Sequence, residues 1–486
     1  LTKPFMICKM IFKIWQRNIK KILNTKSKVL GASLFIVFTL LLSVVAGYII
    51  VNPVVSTFIN GDNRSMYLLL AGTLVNVSIM TTSLFVLVKS VTQEQGEFIM
   101  QLNWFPLTTF ERNLGYKMPI FLVILSIEFF LNILLLIPSF VMNGLNGGLL
   151  LVIMLTFIIQ AIFIFFLNSI IYDFGIFIIS KIGLAYRKVI TLSILLIAVF
   201  YYFIETFSVD RILSSYTKFD YNLLYLGNGI LMKVLNNTLF DDVSYVRVVG
   251  CILGVTIVAV GTLFLNEKVQ ENNSSKILRF LPMSKGFNIS LMIKEVKVQL
   301  RNEENFTNIL LFLFLAIAAR LKLQDLESNA IVIGLVSLVC STVALNSFGN
   351  ENNYFKMYKA TGAQLLRVLL LKELALFIIA YSLFLIIIAL ILGISISLNI
   401  ILISMPIVFT SIMILYILGI LIPVDKKNPY MGILAFVVLF LTMIPAAIIL
   451  SQAITTTLSF IIMFALIIIV LFYNFYLVAK WRINYE

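Results

Sequence analysis

Residues 148–172 read GLLLVIMLTFIIQAIFIFFLNSIIY, 25 residues without one charged side chain. About 20 consecutive apolar residues is the length at which an α-helix crosses a bilayer. Runs of similar character occupy 29–51, 66–88, 118–142, 189–205 and 248–265 in the first half of the chain. The second half carries them at 307–323, 329–348, 373–395, 399–423, 430–450 and 455–479. The expected architecture is an all-α polytopic membrane protein with about 12 transmembrane helices, arranged as two six-helix halves. The run at 307–323 is the weakest, because Arg320 and Lys322 at its end must snorkel to the interface.

Composition points the same way. Of 486 residues, 61% are hydrophobic and 12% charged, with a mean hydropathy of +1.06. A soluble domain is about 45–50% apolar and about 25% charged. Too little polar surface is left here to cover a water-soluble globule, which excludes a soluble enzyme, a disordered chain and a coiled coil. The chain has no histidine, which removes Ser-His catalysis, His-ligated zinc and histidine pH switching. Cys8, Cys251 and Cys340 are far apart and form no C-x-x-C pair. They read as small apolar residues, not as a disulfide or metal framework.

Charge distribution sets the expected topology. With the N-terminus placed inside, the inner segments collect 29 of the 36 lysines and arginines, the bias that marks cytoplasmic loops. The outer side keeps Arg64, Arg211, Lys218, Lys233, Arg247, Arg320 and Lys322. An even span count then puts both termini in the cytosol. Trp15, Trp104 and Trp481 all fall at inner positions, where interfacial anchors belong. The net charge of +14 thus follows from topology and adds attraction to anionic lipid. Spread over separate loops, it gives no sign of a nucleic-acid partner. The many Ile, Lys and Asn residues suggest an AT-rich bacterial gene, and hence a multi-pass protein of the bacterial cytoplasmic membrane.

The halves divide the chain into an interfacial amphipathic helix at 1–28, a six-span half at 29–265, a cytosolic linker with a second such helix at 266–306, and a six-span half at 307–486. Residues 1–28 precede a run long enough to span, so they read as an interfacial helix and not a cleaved leader. Lys3-Pro4-Phe5-Met6-Ile7 can be laid on Lys285-Gly286-Phe287-Asn288-Ile289. In that register Phe5, Cys8 and Phe12 form one apolar face, and Ile289, Ile293 and Val296 the other.

Each half also carries an inner loop between its second and third spans. The first runs from Thr92 to Pro106, with Glu94 and Glu97 ahead of apolar Phe98, Leu102 and Phe105. The second runs from Gly349 to Ala360, with Glu351 ahead of Tyr354, Phe355 and Tyr358. Both read as short amphipathic surface helices. Each is followed by a capping-box pattern, Thr108-x-x-Glu111 and Thr361-x-x-Gln364, in which hydroxyl and carboxyl or amide exchange bonds with the backbone.

These features resemble the permease subunits of type 2 ATP-binding-cassette exporters, in the variant that fuses two six-span halves. The matching parts are the elbow helices Lys3–Lys21 and Lys285–Arg301, the loop ending in Trp104-Phe105-Pro106-Leu107-Thr108, and Gly115-Tyr116-Lys117. The second copy departs, with Thr361-Gly362 for Pro-Leu-Thr and Leu370-Leu371-Lys372 for Gly-Tyr-Lys. The resemblance implies that the loop helices dock on cytosolic ATPase subunits, in two copies, through Glu94, Glu97, Phe98, Leu102, Trp104, Glu351, Tyr354, Phe355 and Tyr358. ATP and Mg would be bound by that partner. This chain has no G-x-x-x-x-G-K-[ST] loop to cradle phosphates, and no cofactor of its own is expected.

Glu128 stands near the middle of the third span, where a carboxylate is costly unless protonated, paired or hydrated. It reads as a contact for a cationic substrate group or a gating hydrogen bond, or else as a structural residue inside the bundle. Asn132 and Asn168 are expected to bond between helices, and Asp173 to mark the inner boundary of its span. Tyr201 and Tyr202 belong either to an interfacial belt or to the path of an amphipathic substrate. The outer segment 206–247 is too short for a substrate-binding domain and suits helices gating an exit. The alternative to an ATP-driven exporter of peptide or lipid-like cargo is an ion-driven secondary transporter or lipid flippase, to which two six-span halves are also suited.

Overall fold

The computed structural model describes residues 2–22, 52–59, 63–91, 106–182, 187–216, 222–231, 242–265, 286–301, 364–391 and 398–421, with isolated positions between 30 and 37, between 305 and 347, and at 476. All regular structure among them is helical, as expected where no water is present to satisfy the backbone. The chain forms two compact units, one of residues 1–89 with 94–270 and one of 90–93 with 271–486.

The first unit contains α1 (Thr2–Ile22), α2 (Asn52–Ile59), α3 (Asn63–Val91), α4 (Thr109–Met142), α5 (Gly147–Ile182), α6 (Arg187–Thr206), α7 (Val209–Ser215) and α8 (Asp242–Thr262). The second contains α9 (Phe287–Arg301), α10 (Leu365–Ile386) with a π turn over Ile387–Ile391, and α11 (Leu398–Leu421). Four of the described helices, α3, α5, α6 and α10, are long and apolar enough to cross a membrane. The runs expected at 66–88, 148–172, 189–205 and 373–395 fall on them. Those at 118–142, 248–265 and 399–423 fall on α4, α8 and α11. The runs at 29–51, 307–323, 329–348, 430–450 and 455–479 lie wholly or in large part outside the described residues.

The surface of these helices explains why they need lipid. On α5, Leu151, Leu155, Phe174, Ile178 and Ile182 stand exposed, and on α8 so do Val249, Leu253, Ile257 and Val260. Large apolar side chains exposed at helical spacing are what a lipid-facing helix surface presents. Polar side chains point the other way. The buried face of α5 carries Thr156, Gln160, Asn168, Ser169, Tyr172 and Asp173. The chain is a membrane protein whose helices turn polarity inward.

α5 is central to the first unit, in contact with α4, α6 and α8. α1 lies along α4, burying Ile7, Cys8, Ile11 and Trp15. Gly115 permits that approach, since a Cβ there would sit 2.8 Å from Cβ of Ile7. In the second unit α9 lies along α10 in the same way, and α10 packs on α11. Gly419 of α11 sits where a Cβ would come within 2.6 Å of the Leu345 carbonyl oxygen.

The structure corrects several sequence-based expectations. The stripe α9 buries is Leu291, Glu295 and Gln299, while Ile289 is exposed and Ile293 and Val296 are half-buried. The buried faces of α1 and α9 therefore match as Ile7 with Leu291, Ile11 with Glu295, and Trp15 with Gln299. This is two residues away from the Lys3-on-Lys285 register, and two residues turn a helix by about 200°. Trp15 is covered by protein and packs edge-on against Phe12, so it is not an open interfacial anchor. The second capping box does not form as expected: Gln364 is itself the N-cap of α10 and makes no side-chain cap bond. Thr361 lies outside the described residues.

Candidate functional site

The start of α4 is built by local chemistry. Thr108 is extended, at φ −70° and ψ 156°, and its hydroxyl accepts from the Glu111 N–H at 3.2 Å. The Thr108 N–H donates to Glu111 Oε2 at 3.0 Å, closing the capping box. Lys3 of α1 joins this corner. Its ammonium donates to the Pro106 carbonyl at 3.4 Å and lies 3.9 Å from Glu111 Oε2. The Thr108 N–H, helped by Lys3, holds the Glu111 carboxyl below its ordinary value of 4.5. The loop positions Glu94, Glu97, Phe98, Leu102, Trp104, Glu351, Tyr354, Phe355 and Tyr358 lie outside the described residues.

Each unit also holds a buried, paired acid. In the first unit Asp173 of α5, 4% exposed, pairs with Lys117 of α4. Thr262 of α8 donates to Asp173 Oδ2 at 2.7 Å, and Ser169 lies 3.4 Å from the same oxygen. Beside it, the ammonium of Lys89 stands 4.5 Å from the ring centre of Tyr172, a cation–π contact. In the second unit Glu295 of α9 and Lys372 of α10, at 1% and 0% exposure, lie 3.4 Å apart. Ser347 and Gln299 each donate to Glu295 Oε1 at 2.9 Å, and Asn305 donates to Gln299 at 2.6 Å.

Deeper in the first unit is a second polar region. Glu128 is buried, and its Oε1 accepts from the Thr81 hydroxyl at 3.1 Å. Asn168 donates to Thr82 Oγ1 at 3.0 Å, an interhelical bond as expected. The side chain of Asn132 lies outside the described residues.

The segment after α7 folds back into this region. Its turn at 222–227 has buried backbone that side chains from three helices satisfy. Gln160 of α5 donates to the Leu223 carbonyl at 2.9 Å and accepts from the Gly227 N–H at 3.0 Å. Ser78 of α3 donates to the Leu224 carbonyl at 2.6 Å. The Leu223 N–H donates to the Tyr202 hydroxyl of α6 at 3.1 Å. Tyr67 bonds Ser215 at 2.7 Å and accepts from Asn228 at 3.0 Å. Gln160 lies 13 residues into α5, about 20 Å along its axis. Irregular backbone at such depth is tolerated only where protein encloses it.

This geometry separates the two tyrosines. Tyr202 holds the inserted turn, while Tyr201 is 68% exposed and faces away from it. Asp173, expected to mark the inner boundary of its span, is the hub of a buried cluster. Sequence reasoning missed Lys89, Tyr172, Glu295, Ser347, Gln160, Ser78 and Tyr67 as members of these sites. One signal was present: polar residues at 156, 160, 168, 169, 172 and 173 recur at helical spacing within an apolar helix. Comparison of the chain with family models, with curated proteins and with solved structures gave no match.

Proposed function

We propose that this chain is the permease subunit of an ATP-driven exporter, with twelve spans in two halves and both termini in the bacterial cytosol. A separate ATPase, in two copies that bind ATP and Mg, drives it. Closure of the ATPases moves the two inner loops, and a pathway for a peptide or lipid-like cargo alternates between inner and outer exposure. The observation that carries this reading is the repeated pairing of an amphipathic helix with the helix that follows an inner loop. α1 lies on α4 and α9 on α10, each with charged contacts at the loop side. The outward face of α1 presents Lys9, Lys13, Arg17 and Lys20 together with Phe5, Met6 and Met10, a surface suited to anionic lipid.

The deciding experiment is capture of the tagged chain from its own membrane, identification of bound ATPase subunits, and ATP turnover of the complex in liposomes. Glu97, Phe98 and Tyr354 substitutions should uncouple that turnover from transport. An ion-driven transporter or flippase is the second reading, favoured by the buried Glu128 on Thr81. Cargo movement by the purified chain on an ion gradient alone would establish it and remove the first.

A further inference from the structure

The two buried acids occupy comparable places relative to the inner loops. α3 ends at Val91 and α4 begins at Thr109, so the segment between them is framed by Lys89 and Lys117. Both lysines reach one point on α5. Lys89 stands over Tyr172, and Lys117 pairs with the next residue, Asp173. In the second unit the segment between Ser347 and α10 is framed by Ser347 and Lys372. Both reach one carboxylate, with Ser347 on Glu295 Oε1 at 2.9 Å and Lys372 on Oε2 at 3.4 Å. Lys117 is the ninth residue of α4 and Lys372 the eighth of α10. The lysines thus hold near-equivalent positions, while their acids come from different elements: α5 in one unit, α9 in the other.

A buried ion pair is a weak source of net stability, because desolvation offsets the attraction. It does fix the register of the elements that carry it. We propose that Asp173 (with Tyr172) and Glu295 are anchors, each tying together the two described ends that flank an inner loop. They are positioning residues. The first anchor lies on a helix long and apolar enough to span, the second on an amphipathic one. The anchoring stands on geometry alone; its use in transport rests on the proposed function.

The test is hydrogen exchange on the full-length chain in lipid nanodiscs, read by peptide. Asp173→Asn keeps the shape and removes the charge. Combined with Tyr172→Leu, which removes the Lys89 contact, it is expected to speed exchange about tenfold at both 85–91 and 109–117, leaving 147–165 unchanged. Glu295→Gln is expected to do the same at 341–347 and 365–372. Asp173→Glu, which keeps the charge, should restore slow exchange. Lys89→Gln together with Lys117→Gln reads the same peptides if that double variant fails to fold. Unchanged exchange, or a change at one end of the loop only, overturns the anchoring. With the ATPase bound, the anchor variants are expected to hydrolyse ATP while transport falls severalfold. Full transport in variants with loosened loop ends would leave the anchors standing and refute their use in an ATP-driven cycle.

Discussion

Glu111 carries a pH-dependent part of the α4 start. Its folded pKa is depressed, so its contribution is complete above the ordinary value of 4.5 and is lost as pH falls below it. Amide-exchange protection at Glu111 and Arg112 is expected to follow that window. Thr108→Ala should weaken the same turn at every pH, by about 1 kcal/mol. Gln160→Leu is a harsher change, because it strands the Leu223 carbonyl and the Gly227 N–H inside protein. Each unpaired group costs about 1–3 kcal/mol, which thermal unfolding in detergent should show as a clear loss. The Thr108–Glu111 box was legible because its partners are three residues apart. Asp173 and Lys117, 56 residues apart, were each visible as charges, yet nothing local pairs them.

Helix faces were harder to read than helix positions. In water an apolar stripe marks the buried side, and α1 does bury an apolar stripe, but it is Ile7, Cys8, Ile11 and Trp15, with Phe5 of the expected face exposed and Phe12 half-buried. α9 inverts the rule: Glu295 and Gln299 go inside and Ile289 stays out. A chain solvated by lipid can do either, so periodicity alone gave the wrong side. Gln364 was misread for a related reason: the pattern gives the spacing of a box but not the residue at which the helix begins. The α1–α4 contact makes a direct prediction. Gly115→Ala must push against Cβ of Ile7, which sits close to rigid backbone, and should cost about 1–3 kcal/mol in unfolding measurements. The outer face of α1 makes another. Replacing Lys9, Lys13, Arg17 and Lys20 by Gln should abolish any extra stability in phosphatidylglycerol over phosphatidylcholine nanodiscs, an effect of about 1 kcal/mol per residue.

For the whole molecule, the mean hydropathy of +1.06 already pointed to a membrane. The described helices agree, with exposed apolar stripes on α5 and α8 and polar residues inside. Glu128 was legible as an oddity, and its Thr81 partner shows how its polarity is accommodated. The inserted turn at 222–227 was not legible, because its partners are dispersed over α3, α5 and α6.

That turn has a consequence for biogenesis. Ser78, Gln160 and Tyr202, the side chains that receive it, all precede it in the sequence. Because a ribosome delivers the chain from its N-terminus, the socket is made before the plug emerges. Nascent chains halted before residue 222 should therefore carry a wetted vestibule, which closes only when the next stretch arrives.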